Sequence, residues 1–571
     1  MAYNQFLDAY IRGFDKYLPK NTRKLHKNRQ IPRKEWMTFG LAKSCKIKSE
    51  LFKDYKNLKT IEAKAKFIEY RNKLQKLLNK AEKDYYSKKL HDCHGDQKRS
   101  WKIINSLLNK NNEKSPPSYE FNCENIIISD CKLIADKFNN YFVNIGKTLA
   151  EKIQPSKKTY KEYMCNLPSN INSCGFDLTS NFEIINVTKN LKNCDSSGFD
   201  EIPTKVIKAT IECIAEPLAA IINLAISSGI FPEKMKIAKV CPIFKSGNKG
   251  EVTNYRPISI LTNFSKIFEK IIANRLISFI DKHKIISSAQ FGFRKKHSTY
   301  MALMKLYDKV SQAIDNNEFC IGIFIDLSKA FDTLNHEILL KKLEFYGVRG
   351  LPNNLLRNYL TNRQQYVQFS NRTSEMNTIS CGVPQGSILG PLLFLLYVND
   401  MPLVCKQLLF ILFADDTNIL YSNSNIIQLM NTVNTELTIL SDWFMANMLS
   451  LNVQKTSFMM FGFKNFPKGI NFNIKIDNEM ISRVEFTKFL GVIIDHKFTW
   501  QRHINFIAIK ISKALSVLSR LKHKLPKNCL LSLYYSLVYP HFNYCIIIWG
   551  CASKTHMNKL LVLQKRCCSN N

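Results

Sequence analysis

The chain is 571 residues long, enough for roughly three or four domains, and its 45% hydrophobic and 11% aromatic content excludes a disordered chain. Lys and Arg number 82 against 46 Asp and Glu, a net charge of +36. Such an excess points to a polyanionic partner, either nucleic acid or an anionic membrane surface. The longest apolar runs, Ile388–Val398 and Leu408–Phe413, fall far short of the roughly 20 residues a spanning helix needs. The first 20 residues hold no apolar stretch of the secretory kind. Seventeen scattered cysteines, an odd number, argue for free thiols in a reducing compartment. His91, Cys93 and His94 stand close together, as do Cys545, Cys551 and His556, but neither set has zinc-finger spacing.

In chain order, residues 1–110 come first, with 28 Lys and Arg against 11 Asp and Glu, a net +17. Lys43 to Leu90 is rich in helix formers and nearly free of Gly and Pro, which predicts one long helix. Its charges are mostly of one sign, the footprint of a nucleic-acid arm. A loop is expected near Lys114–Ser118, then a helix over Asp130–Ile153. Apolar residues at helical spacing from Ile211 to Ile226 predict another, ended by Gly229 and Pro232. From there to about residue 495, short β-rich runs alternate with helices, an α+β pattern. Residues 496–571 read as helical and basic.

Two places carry chemistry. The run Cys320-Ile-Gly-Ile-Phe-Ile-Asp326 is a β-branched strand ending in a carboxylate, followed by Leu-Ser-Lys-Ala-Phe331-Asp332. A carboxylate at the mouth of a buried strand is costly unless it meets a metal or a cation. Further on, Leu408–Phe413 and Thr417–Tyr421 flank Ala414-Asp415-Asp416, which reads as a hairpin with adjacent carboxylates at its tip. A structural turn would favour Asn-Gly or Asp-Gly. Two like charges there make sense if hard divalent cations relieve the repulsion. Asp326 and Asp415 are the minimum set for a two-metal phosphoryl-transfer site.

Phe-Ile-Asp-Leu-Ser-Lys-Ala-Phe-Asp and Phe-Ala-Asp-Asp resemble motifs A and C of the reverse transcriptases of non-LTR, jockey- and CR1-like retrotransposons. Other segments agree in order. Ser197-Gly198-Phe-Asp200 resembles the additional fingers motif. Lys239–Lys245 with Asn254-Tyr-Arg256, then Gln290–Thr299, resemble the fingers. Gly382-Val-Pro-Gln385-Gly386 resembles motif B and Asn447–Lys455 motif D. Phe489-Leu490-Gly491 resembles the primer-grip hairpin. The resemblance implies a right-hand polymerase of fingers, palm and thumb, divided as a basic helical extension (1–120), a linker with N-terminal fingers (121–224), the reverse transcriptase domain (225–495) and a truncated helical thumb (496–571). It implies an RNA-directed DNA polymerase that extends a DNA 3′-hydroxyl on an RNA template from dNTPs.

In that resemblance Asp326, Asp415 and Asp416 hold two Mg²⁺ ions, with Mn²⁺ as a substitute. Lys245 and Arg256 lie over the incoming triphosphate, and Phe331 is the steric gate against the ribose 2′-hydroxyl. Gln385 and Gly386 touch nucleotide and template. Lys455 protonates the leaving pyrophosphate, and Phe489, Leu490 and Gly491 grip the primer. It further implies RNA and DNA as partners, no membrane, no endonuclease domain in this chain, and work in the nucleus and cytoplasm. A viral RNA polymerase would show Gly-Asp-Asp, which is absent. A maturase-like polymerase and an inactive nucleic-acid-binding remnant stay open as alternatives.

Overall fold

The computed structural model describes residues 1–19, 34–93, 96–108, 120–123, 126–165, 171–194, 196–462, 472–477 and 479–569. The expected Lys114–Ser118 loop lies outside the described residues, as does His94. Helices and strands mix throughout. Contacts divide the chain into two compact units, residues 1–21 with 118–486, and residues 22–117 with 487–571.

The larger unit begins with α1 (Ala2–Tyr17). Tyr3 and Leu7 are buried in the main core, and Phe6 and Tyr10 stand edge-on to Phe264, each with ring centroids 5.4 Å from it. This first helix therefore packs as part of the larger unit's core.

The smaller unit opens with α2 (Phe39–Leu58) and α3 (Ile61–His91). The single long helix expected over Lys43–Leu90 is interrupted. Lys59 turns left-handed (φ 51°), and the Thr60 hydroxyl accepts from the Ala63 amide at 3.3 Å to start a second helix. Phe67 packs on Phe52 and stacks on Tyr55, with centroids 5.2 and 6.2 Å apart, so the two helices fold back as a hairpin. Leu74 is the only buried residue of the pair, so the basic faces lie in solvent.

Back in the larger unit, α4 (Cys131–Glu151) is capped by Asp130, whose carboxylate accepts from the Lys132 amide at 3.2 Å. It lies close to the expected bounds. The helix expected over Ile211–Ile226 is longer, α5 (Thr204–Ser228), and ends at left-handed Gly229. By length and composition alone it could cross a membrane. It is a core helix instead, with Ile207, Ile211, Leu218 and Ile222 fully covered by protein.

Two sheets follow. In the first, β1 (Ile237–Phe244) pairs antiparallel with β2 (Tyr255–Ile260). The second is five-stranded and centres on β3 (Phe319–Ile325). A later strand, β4 (Arg363–Phe369), lies parallel to β1 and completes the middle of the first sheet. The hairpin β5 (Leu409–Phe413) and β6 (Asp416–Asn423) joins β3 on one side, with β6 antiparallel to it. On the other side runs β7 (Ser457–Phe461), also antiparallel to β3. Cys320, Ile321, Gly322 and Ile323 are all buried, so β3 is covered on both faces and reads as a continuous apolar run.

A buried ion pair ties the helices behind this sheet together. The Lys342 ammonium meets the Asp400 carboxylate at 2.6 Å and the Tyr397 carbonyl at 2.7 Å. It also faces the rings of Tyr397 and Trp443, each 5.0 Å away, and the Trp443 indole N–H donates to Asp400 at 3.0 Å. Both charged side chains are fully buried. Such a pair is stable only while every partner is present.

The smaller unit ends in the hairpin β8 (Phe486–Phe489) and β9 (Val492–Asp495) and the helices Gln501–Leu521, Lys527–Leu537 and Lys554–Ser569. Every cysteine for which side-chain structure is described is a free thiol. The Lys342 pair makes one prediction. Lys342→Ala leaves Asp400 charged and unpaired in the core and should cost about 3–5 kcal/mol of unfolding free energy. Urea denaturation checks this; a loss under about 1 kcal/mol would remove the pair from the core's essential contacts.

Candidate functional site: a carboxylate cluster facing four cations

Register brings the carboxylates together. Thr417 pairs with Ile325 across β6 and β3, so the next residues outward, Asp416 and Asp326, leave the sheet side by side. Asp415 sits in the two-residue turn between paired Phe413 and Asp416. That turn has Ala414 at φ 58°, a left-handed position that L-residues avoid. The buried Gln290 side chain holds it there, its Oε1 accepting from the amides of Ala414 at 3.0 Å and Gly292 at 2.8 Å. The expected hairpin is present; the part Gln290 plays in supporting its tip had no signal in the sequence.

Asp326 is tied from behind. Its amide donates to the Thr456 hydroxyl at 3.3 Å and its carbonyl accepts from the Asn452 amide at 2.9 Å. The Ser450 carbonyl accepts from the Ser328 amide at 2.9 Å. The segment carrying Lys455 is thus laced along the segment after Asp326, and the Lys455 side chain is exposed at its turn.

The three carboxylates feel one another. Burial, then the charge of Asp326, raises the Asp415 carboxyl above its usual range. Burial and the charges of Asp415 and Asp326 push Asp416 up to about 6. Arg256 and Lys245 pull in the opposite direction on Asp415.

Those two cations share one surface. Ile243 pairs with Arg256, and the Lys245 amide donates to the Asn254 carbonyl at 2.9 Å. Alternation along the two strands puts Lys245 and Arg256 on one face as diagonal neighbours. A third cation, Lys329, was not anticipated. It is left-handed (φ 50°), its ammonium donates to the Tyr255 carbonyl at 3.3 Å, and it faces the Tyr141 ring of α4 at 5.6 Å. Burial lowers the Lys329 ammonium below its usual range, and the neighbouring charges of Lys245, Arg256 and Lys455 add to this. Four cations therefore share one electrostatic neighbourhood.

Phe331 packs against Phe394 with centroids 4.6 Å apart and remains half-buried, a ring held by the core on one side. The Gln385 side-chain amide donates to both oxygens of Asp332 at 2.9 Å, and its backbone carbonyl accepts from the Ser259 amide at 2.8 Å. Gly386 has φ 128°, and a Cβ there would lie 2.5 Å from the Ser259 carbonyl, so glycine alone lets this turn reach β2.

The structure thus draws Asp326, Asp415, Asp416, Lys245, Arg256 and Lys455 into one neighbourhood. Phe331, Gln385 and Gly386 lie on segments cross-tied to it. Phe489, Leu490 and Gly491 belong to the smaller unit. There Leu490 (φ 45°) and Gly491 (φ 85°) form a tight turn, and the Tyr544 hydroxyl donates to the Leu490 carbonyl at 2.6 Å.

Among the described residues, no three His, Cys, Asp or Glu side chains close a cage for a metal ion. Mg²⁺ does not need one, since it keeps several waters and takes one or two carboxylates plus substrate phosphates. Asp415 and Asp416, raised by burial and then by neighbouring carboxylates, with Asp326 beside them and cations nearby, are a donor set that fits such an ion.

Residues 244–494 match the family described as reverse transcriptase (RNA-dependent DNA polymerase), so the chain carries a reverse transcriptase domain. Its relatives include the "probable RNA-directed DNA polymerase from transposon BS" of Drosophila melanogaster, 31% identical over 67% of this chain and 43% of the relative. The "RNA-directed DNA polymerase from mobile element jockey" of the same organism is 29% identical over 67% of this chain and 43% of the relative. Its counterpart in Drosophila funebris is 24% identical over 99% of this chain and 62% of the relative. The chain spans less than half the length of the first two.

The raised Asp416 carboxyl, set by burial first and then by the charges of Asp415 and Asp326, predicts a pH-dependent gain in stability on neutralising it. Asp416→Asn in metal-free protein should raise the melting temperature by roughly a few degrees at pH 8, where the native carboxylate is charged. The gain should shrink at pH 5, where a group that titrates at about 6 is already protonated. Differential scanning calorimetry at both pH values checks this; equal gains would rule out the carboxylate charge as the cause.

Proposed function

We propose that this chain acts as an RNA-directed DNA polymerase of a non-LTR retrotransposon, extending a DNA 3′-hydroxyl on an RNA template. The observation that carries the reading is the β3–β6 register, which sets Asp326 beside the Asp415–Asp416 turn. In this reading the β1–β2–β4 sheet belongs to the fingers, the β3 sheet to the palm, and the helices after residue 496 to the thumb.

Asp326, Asp415 and Asp416 would hold two Mg²⁺ ions, which when bound neutralise charge at the attacking and leaving oxygens of phosphoryl transfer. Arg256 offers the triphosphate a two-pronged donor and Lys245 a point charge. Lys329 adds a third cation. Lys455, exposed beside the Asp326 segment, donates a proton to the leaving pyrophosphate. The Phe331 ring, backed by Phe394, fills the space beside the sugar 2′ position and so selects dNTPs. Phe489, Leu490 and Gly491 hold the primer end.

The α2–α3 hairpin suits template RNA. Residues 34–108 carry 19 Lys and Arg against 9 Asp and Glu, and counterion release at phosphates supplies sequence-independent affinity. Use of a DNA target assigns the work to the nucleus. The intact carboxylates speak against an inactive remnant, since binding alone would not need them.

Primer extension on poly(rA)/oligo(dT) with Mg²⁺ tests the reading. Asp326→Ala and Asp415→Ala should each lower the rate by about 10³-fold or more, with RNA affinity changed by less than about threefold, because affinity comes from Lys and Arg on phosphates. More than a few per cent of residual synthesis in either variant would remove that carboxylate from the site. Phe331→Ala should raise ribonucleotide incorporation relative to dNTP by about tenfold or more, read as a ratio of kcat/KM values. An unchanged ratio would leave Phe331 as a packing residue only.

A further inference from the structure

Asp332 lies six residues beyond Asp326, and none of the roles assigned above uses it. Its carboxylate is half-buried at the junction of two segments, one following β3 and one carrying Gln385. Backbone ties bracket it on both sides. The Val383 amide donates to the Phe331 carbonyl at 2.9 Å, and the Gly382 amide donates to the Leu334 carbonyl at 2.8 Å. Its own carbonyl accepts from the Cys381 thiol at 3.6 Å. Helix α4 closes the remaining side. A Cβ at Gly146 would collide with the Asp332 carbonyl, so only glycine lets the helix come this near. These contacts leave the carboxylate little freedom to move.

Its two oxygens both accept from one donor, the Gln385 Nε2, at 2.9 Å each. An ionised carboxylate is an acceptor only, so it decides which end of the Gln385 amide turns toward it. The amino end is committed to Asp332, and the carbonyl end is left outward. Among the described residues no hydrogen bond to Gln385 Oε1 is found, and the side chain is half-buried, so this oxygen is available to a ligand. The same residue's backbone is fixed to β2 through Ser259, three positions from Arg256. Burial raises the Asp332 carboxyl to about 6, while the Gln385 hydrogen bond and the charge of Lys329 pull it back, so above that pH it is the anionic acceptor this orientation requires.

We infer that Asp332 is a positioning residue of the nucleotide pocket, holding the Gln385 amide so that its carbonyl oxygen faces the incoming nucleotide as a hydrogen-bond acceptor. Asp332 itself touches no substrate; it acts through Gln385. The inference rests on the polymerase reading, because it takes the pocket beside Arg256 and Phe331 as the nucleotide site. A released Gln385 samples several side-chain rotamers as well as both amide orientations, so only about a tenth of the population need present its carbonyl to a donor group of the ligand. The loss therefore falls on nucleotide affinity more than on the chemical step.

Steady-state primer extension with wild type, Asp332→Ala, Asp332→Asn, Gln385→Ala and the Asp332→Ala/Gln385→Ala double variant tests this. Asp332→Ala should raise the KM for dTTP about tenfold, with kcat held within about threefold. Asp332→Asn can accept or donate and should fall between wild type and Asp332→Ala. The double variant should match Gln385→Ala within about twofold, because removing Gln385 leaves Asp332 nothing to position. An unchanged KM in Asp332→Ala, or effects that multiply in the double variant, would overturn the inference. If Asp332→Ala does not fold, Asp332→Asn and Asp332→Asn/Gln385→Ala carry the same comparison. Absence of synthesis by wild type would count against the polymerase reading, not against the clamp. Equilibrium binding of a fluorescent dTTP analogue with Mg²⁺ to the same variants then decides: non-additive losses support the clamp, and equal affinity of wild type and the Asp332 variants overturns it.

Discussion

Three carboxylates must be held within reach of one another against their own repulsion, and the rest of the molecule follows from that constraint. No local sequence preference would place Asp326 beside Asp415 and Asp416. What holds them is the β3–β6 pairing, seven residues long from Phe319–Asn423 to Ile325–Thr417, with β3 buried on both faces. Ile419 and Leu420 point to opposite faces of β6 and both are buried, so the strand is held from both sides and the charges emerge where its buried stretch ends, at Asp416.

The cations answer the carboxylates from a different sheet. Lys245 and Arg256 are set by the β1–β2 hairpin, Lys329 by a left-handed turn after β3, and Lys455 by the loop tied to Asp326. None of the four forms a salt bridge with Asp326, Asp415 or Asp416 within 4 Å. Opposite charges thus stand near one another without closing ion pairs, as the proposed metal-bound triphosphate would require. The backbone hydrogen bonds that join the Phe331–Leu334 segment to the Gly382–Val383 segment make this surround rigid. The candidate site is built from segments far apart in sequence that are laced by main-chain bonds, which tolerate side-chain change.

Helix α4 shows how far the site extends beyond the matched domain. It begins more than a hundred residues before β1, yet Tyr141 faces Lys329 and Gly146 abuts the Asp332 carbonyl. Helix α1 likewise packs Tyr3 and Leu7 into the same core. Both lie outside residues 244–494. The reverse transcriptase domain as a sequence unit is thus smaller than the compact body that contains most of it.

Lys245 and Arg256 came from the family resemblance; the sequence by itself determined the carboxylates, their strand and hairpin, and the basic character of the N-terminal helices. These are local facts: a β-branched run ending in Asp, an Ala-Asp-Asp between apolar runs, a charge excess. It predicted a single helix over Lys43–Leu90 and missed the break at Lys59, because a left-handed residue followed by a Thr cap leaves only a faint mark in composition. Only the tertiary structure decided that Gln290 supports the strained turn at Ala414, that Lys329 joins the cation group, and that Asp332 binds the Gln385 amide. Each of these joins residues between 53 and 124 positions apart or depends on several segments meeting. Periodicity and motif spacing report what a segment does within its own turn or strand. Which segments meet is set by burying the apolar faces of all of them at once.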